Sequence, residues 1–182
     1  MSITDRSRER VEAVLARLRE HHGVRRVVEH RWTLPDWAYD RDRRRFEAGT
    51  VGGAGAWVLD RDGRALLIRE EPDGPWSEPS GKQEPDETLA RAARREVREE
   101  TGASVALSGV ELAQPVAATD GERPPLWRLI VLFGGRYVGG DLRPAAGEIA
   151  EVGWFEHHPD ALAYEELERM PIPAGEGRGG VD

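Results

Sequence analysis

Between Gly81 and Ala103 the chain spaces its acids so regularly that a helix carrying carboxylates on its apolar face is the conformation it predicts. The run reads Gly81, five residues, Glu87, seven residues, then Arg95-Glu96-Val97-Arg98-Glu99-Glu100-Thr101-Gly102-Ala103. A helix turns about 100° per residue, so with Leu89 at zero Ala93 falls at about 40°, Val97 at about 80° and Ala92 at about −60°, an apolar stripe of ordinary width. Glu96 and Glu100 lie within about 20° of Leu89, one on each side and so inside that stripe, and Glu99 lies at its edge, about 80° away. Arg91, Arg94 and Arg98 cluster on the opposite, wet side. A surface charge run would place acids and arginines together; here the acids interrupt the stripe. Burying an ionised carboxylate alone costs several kcal/mol or more, so acids at i, i+3 and i+4 on such a face share a cation or line a solvated cleft. Oxygen donors alone select Mg²⁺, with Mn²⁺ the nearest substitute.

Boundary signals frame this helix at about 87–101. Pro85-Asp86 predicts a turn with a capping side chain, and Gly102 supplies the stop. Arg95 stands four residues before Glu99, where its guanidinium can hold that carboxylate in one orientation.

The spacing resembles the signature of the Nudix hydrolases, with every fixed position filled. At this chain's residue frequencies a chance match has a probability on the order of 10⁻⁴ or less. Two positions depart from the family pattern. The terminal aliphatic is a small Ala103, and the frequent Leu-Pro-Gly-Gly lead-in reads Glu78-Pro79-Ser80-Gly81, where serine narrows the backbone geometry open to position 80. The resemblance implies an α/β protein, a Nudix-type α/β/α sandwich with a mixed sheet, here with an N-terminal helical extension. It also implies a pyrophosphohydrolase that cuts a phosphoanhydride in a nucleoside diphosphate linked to another group.

On that reading Glu96, Glu99 and Glu100 hold the metal, with the Ser80 carbonyl a further ligand and Arg95 an orienting group. Glu87 binds a second ion through water or buttresses the loop. The general base is a box glutamate or a later acid: Glu148 stands best placed, with Glu151 and Glu122 as rivals. Glu84 is a further acid near the loop. Lys82, which directly follows the first motif glycine, and Trp76 and Trp127, which flank turns near the expected cleft, are the candidate substrate contacts.

The chain of 182 residues, net charge −8, suffices for one enzyme domain. Without cysteine there is no disulfide framework, thiolate nucleophile or cysteine-built zinc site, which disfavours the isopentenyl diphosphate isomerases that resemble this family. The acidic balance predicts no stable nucleic-acid binding. No apolar run approaches the roughly 20 residues of a membrane span, and the charged start lacks the core of a secretory signal, so the expected compartment is the cytoplasm. Lys82 is the sole lysine among 26 basic residues, a bias that fits a GC-rich genome and a salty cytoplasm equally.

Residues 1–49 read as an extension, 50–170 as the Nudix domain and 171–182, rich in Gly and Pro, as a mobile tail. In the extension, Val11, Val14, Leu15 and Leu18 predict an amphipathic helix from Asp5 to His22, which packs on its own domain or on a second subunit of a homodimer. A strand is expected over 24–34, and a connector or helix turn over 40–45. Further strands are expected over 55–59, 64–69, 104–116, 126–134, 137–141 and 151–155, the first two joined at Asp62-Gly63. The substrate stays open at this stage. Residues 119–121 carry neither the proline of ADP-ribose hydrolases nor the tyrosine of dinucleoside polyphosphate hydrolases, which leaves nucleoside triphosphates or nucleotide sugars, with ADP-ribose the alternative. A non-catalytic Nudix sensing or scaffold module usually has an eroded box; this one is intact.

Overall fold

The structure, a computed structural model, describes residues 1–176. Its elements run α1 (Ile3–His22), β1 (Val24–Val27), β2 (His30–Thr33), α2 (Asp36–Glu47), β3 (Gly52–Leu59), β4 (Ala65–Arg69), β5 (Ser80–Lys82), α3 (Leu89–Thr101), β6 (Ser104–Thr119), β7 (Leu126–Gly139) and β8 (Glu151–Phe155). A 3-10 turn at Glu165–Arg169 and a short α4 (Pro173–Glu176) follow. The strands make a mixed sheet in the order β1-β6-β7-β3-β4-β8, with β2 also on β6 and β5 on β3. The expected α/β architecture with a mixed sheet is present.

The chain divides into two compact units. The first comprises residues 1–54, 81–92 and 109–133, the second 55–80, 93–108 and 134–182. In the first, β1 and β2 pair in parallel with successive stretches of β6, from Val24 opposite Val110 to Thr33 opposite Thr119. The single expected strand over 24–34 is therefore two. Helix α1 starts with a capping box in which Ser2 and Asp5 satisfy each other's backbone donors, and Val11, Leu15 and Leu18 are buried. The Thr4 hydroxyl donates to the Pro125 carbonyl at 2.7 Å and the Trp127 amide to Ser7 Oγ at 3.0 Å, so α1 packs onto its own chain.

Where a connector or helix turn was expected over 40–45, α2 runs for 12 residues. Its buried face holds Ala38, Tyr39, Asp42 and Phe46, and one of these four is an acid, so the stripe is faint in the sequence. Asp42 is tolerated there because Arg41 and Arg128 both bind its carboxylate.

In the second unit β4 pairs antiparallel with β8 from Ala65 opposite Phe155 to Arg69 opposite Glu151, and β3 meets β4 at Leu59 and Ala65 around the Asp60–Gly63 turn. Of the expected tail, residues 177–182 lie outside the described residues. Its first part is tied down: the Trp57 indole N–H donates to the Pro171 carbonyl at 2.8 Å, Ala174 N to Gly63 O at 3.0 Å, and Ile172 is buried. Among the described residues no helix is long and apolar enough to cross a membrane.

Candidate active site

Helix α3 begins at Leu89, two residues later than the spacing suggested. Asp86 is not its cap: it sits at φ +62° in the preceding turn, and the Thr88 hydroxyl accepts from the Arg91 N–H at 3.2 Å instead. The stop is at Gly102, as expected, in the left-handed region at φ +75°, where an added Cβ would lie 2.2 Å from the Asp141 carbonyl oxygen. Leu89, Ala92, Ala93 and Val97 are all buried, and Arg91, Arg94 and Arg98 are exposed, which is the wheel read from the sequence.

The box acids take three environments. Glu99 lies at the edge, its side chain 57% exposed; Glu96 is mostly buried, and Glu100 is partly buried. Arg95 binds two of them at once, Glu96 Oε1 at 2.7 Å and Glu99 Oε2 at 3.1 Å, through the same guanidinium nitrogen. Glu100 Oε2 accepts the Ser80 backbone N–H at 2.9 Å. Burial pushes the Glu100 carboxyl up to about 8; the Ser80 amide pulls the other way, and the charges of Glu96, Glu70 and Glu78 add to the rise. A carboxylate that burial, and to a lesser degree neighbouring acids, make hard to ionise is one whose charged form a cation would favour.

The loop carrying Ser80 is seated by its backbone. Ser77 exchanges hydrogen bonds with Ile68, both at 2.9 Å, and Pro79 O accepts from Ala56 N at 3.2 Å. Gly55 makes that seat possible, because a Cβ there would stand 2.4 Å from Ser80 Cβ and 2.5 Å from Pro79 O. Between these anchors Glu78 is turned inward and 5% exposed. The Tyr164 hydroxyl donates to Glu78 Oε1 at 2.5 Å, and burial lifts the Glu78 carboxyl to about 7. Burial likewise raises the Tyr164 hydroxyl, so it stays protonated and donates. Neither Glu78 nor Tyr164 is among the sequence candidates; the departure from an aliphatic lead-in at position 78 is the available signal.

The remaining candidates are dispersed. Glu87 accepts from Glu84 N at 3.0 Å and closes the turn before α3, while its carbonyl accepts from Gln83 Nε2 at 2.5 Å. Lys82 and Trp127 come together, lining a small cavity of about 20 Å³ with Asp42, Arg45 and Arg128. Trp76 sits in the second unit, edge-on to Phe155 at 4.6 Å between ring centres, with the Arg69 guanidinium 4.8 Å over its face. Glu148 is exposed in a turn pinned to the end of α3, since Ala145 N donates to the Glu100 carbonyl at 3.1 Å and Glu148 N to Ala145 O at 3.2 Å. Glu151 is engaged by Arg69 at 2.5 Å, and Glu122 is exposed in a turn closed by the Asp120 side chain.

Among the described residues no three His, Asp or Glu side chains stand together at metal-holding spacing as oriented here. The donor set nevertheless fits a hard divalent ion in kind. Glu96, Glu99 and Glu100 are oxygen donors on one face of α3, and Arg95 holds two of them in the place a cation would compete for.

The box glycine thus lies on β5, and the Ser80 amide is bonded to a carboxylate of the box helix. Residues 49–170 match the NUDIX domain, and the chain belongs to that family. It is 37% identical over 119 residues to the NAD-capped RNA hydrolase NudC of Chromobacterium violaceum, a match covering 64% of this chain and 40% of that protein. It is 32% identical over 106 residues to the 8-oxo-dGDP phosphatase NUDT18 of Mus musculus, covering 55% and 30%. The chain thus spans less than half the length of these curated relatives. A NUDIX hydrolase crystal structure from Nitrosomonas europaea superposes with a TM-score of 0.53 at 24% identity, covering 66% of this chain and 69% of that one, a likeness of fold.

Proposed function

We propose that the protein is a divalent-metal-dependent hydrolase that cuts a phosphoanhydride bond in a nucleoside diphosphate derivative and works in the cytoplasm. The observation that carries this reading is Glu100, held by the Ser80 amide on the helix that also carries Glu96 and Glu99 joined through Arg95, with the Glu100 carboxyl pushed up to about 8 by burial and by other acids. Mg²⁺ or Mn²⁺ held there would neutralise charge developing at phosphorus and lower the pKa of a bound water.

The chain's own groups prepare that chemistry. The Ser80 amide fixes one Glu100 oxygen and leaves the other for a ligand, with the Ser80 carbonyl a candidate ligand beside it. Arg95 orients Glu96 and Glu99 and is the cation's competitor for them. Glu87 braces the turn rather than reacting. Glu148 is our choice of general base: it is solvent-exposed, on a turn tied to the Glu100 carbonyl, whereas Glu151 is occupied by Arg69. Trp76, in the same unit as Glu96, Glu99 and Glu100, is proposed to meet the substrate's nucleobase, and Lys82 and Trp127, side by side in the first unit, are proposed as a phosphate- and base-binding pair.

For the substrate we favour a nucleoside triphosphate or nucleotide sugar; the similarity to an 8-oxo-dGDP phosphatase supports a free nucleotide as the substrate class and no more than that. The second reading is a dinucleotide diphosphate of the NAD type, favoured by the similarity to NudC. Hydrolysis of nucleoside triphosphates, 8-oxo-dGDP, nucleotide sugars, ADP-ribose, NAD and NAD-capped RNA with Mg²⁺ separates these. Turnover of at least one of them, lost in Glu99→Gln and Glu100→Gln, is the expected result; full turnover in both variants would remove the metal-ligand assignment, and no turnover of any would favour a non-catalytic module.

A further inference from the structure

Among the described residues Glu78 is a buried acid without a basic partner, and its Oε2 makes no geometrically formed hydrogen bond, although the Ser80 hydroxyl and the Glu78 amide lie close enough to favour the charged carboxylate. The residue is 5% exposed, Tyr164 donates to Oε1 at 2.5 Å, and Oε2 is buried. The main chain on both sides of it is held, through the Ser77–Ile68 pair and the bond from Ala56 N to Pro79 O, and its carboxyl is held by Tyr164. Two residues on, the Ser80 amide holds Glu100, whose environment includes the charges of Glu78, Glu70 and Glu96.

An aliphatic side chain at position 78 would pack the same space without desolvating a carboxyl, so packing does not account for an acid there. A half-satisfied buried carboxyl is less favourable than either a full set of partners or none. Among the described residues no lysine, arginine or histidine is hydrogen-bonded or ion-paired to it, and its electrostatic neighbour Glu100 is another acid. The partner that suits a carboxyl beside carboxylates is a cation.

We infer that Glu78 is a further acidic residue of the cation site, with Oε2 directed at the divalent ion or at a water bound to it, and Tyr164 holding the carboxyl in that orientation. This rests on the reading of the box as a metal site and extends that site to the lead-in loop.

The test is Mn²⁺ binding to metal-free full-length protein at pH 8, read by electron paramagnetic resonance of free Mn²⁺ without nucleotide, for wild type, Glu78→Gln, Glu78→Leu and Glu99→Gln. Both Glu78 variants should bind about tenfold or more weakly. Mg²⁺ should raise the melting temperature of both Glu78 variants less than it raises that of wild type. A residue that only supported the loop would leave the Mn²⁺ affinity and the Mg²⁺-induced rise in melting temperature unchanged. Wild-type affinity, within twofold, in the folded Glu78 variants overturns the inference; if the leucine variant does not fold, the isosteric glutamine variant decides alone. If wild type takes up no Mn²⁺, or Glu99→Gln binds as well as wild type, the metal reading of the box itself fails and takes this extension with it.

Discussion

Stripped of divalent cations, the protein should lose stability as pH rises from 5 to 8. The Glu100 carboxyl moves from 4.5 to about 8 on folding, mainly because it is buried. The folded chain therefore binds this proton more tightly than the unfolded chain does. Stability is highest below the unfolded value and falls as pH climbs toward the folded one. Integrated over pH 5 to 8, the proton linkage of this one group amounts to about 3–4 kcal/mol, or roughly 6–16 °C in melting temperature for a chain of this size. Glu78, lifted to about 7, acts in the same direction. Asp60 and Asp120 are lowered by their hydrogen bonds and titrate below this window. Thermal melts in EDTA at pH 5, 6, 7 and 8 should show the decline, Glu100→Gln should flatten it, and millimolar Mg²⁺ at pH 8 should restore the lost degrees. A metal-free protein as stable at pH 8 as at pH 5 would refute the argument that the box carboxylates are held under strain in the absence of a cation.

Arg95→Ala frees Glu96 and Glu99 from their shared guanidinium, so turnover should fall by about 10- to 100-fold and the Mg²⁺ concentration giving half-maximal rate should shift, both visible in a metal titration of the rate. Gly102→Ala places a Cβ 2.2 Å from the Asp141 oxygen at φ +75°, and denaturant unfolding should register a loss of about 2–4 kcal/mol. Thr88→Ala removes the α3 cap and should cost about 1 kcal/mol in the same measurement, whereas Asp86→Ala should lower stability less because Asp86 does not cap.

The box helix is legible in the sequence because its information is local. Apolar residues at helical spacing set the buried face, the acids interrupt it, and Gly102 ends it, so no distant contact is needed to read the wheel. The start of the helix is misplaced for a local reason too, since Asp86 and Thr88 both cap well and only the backbone at Asp86, in the left-handed region, shows which one does. Strand β8 and the β3–β4 turn follow from apolar runs and an Asp-Gly step. The break between β1 and β2 is hidden because it depends on pairing with β6, which lies far along the chain. Helix α2 is understated because Asp42 stands on its buried face, and the arginine that makes this tolerable, Arg128, is equally remote. In the site, Arg95 reads from the sequence as serving Glu99 and also serves Glu96, a neighbour the i, i+4 rule does not consider. Glu78 reads as a variant loop residue; its burial and its bond to Tyr164, 86 positions on, are tertiary facts.

The central claim, that Glu96, Glu99 and Glu100 form a cation site with the Ser80 loop, is tested most directly by an anomalous-scattering map from crystals soaked in Mn²⁺. The account predicts a peak within about 2.5 Å of carboxylate oxygens from the box, with the Arg95 guanidinium displaced from Glu96 or Glu99. Crystals in millimolar Mn²⁺ that keep both Arg95 ion pairs and show no peak at the box would contradict it.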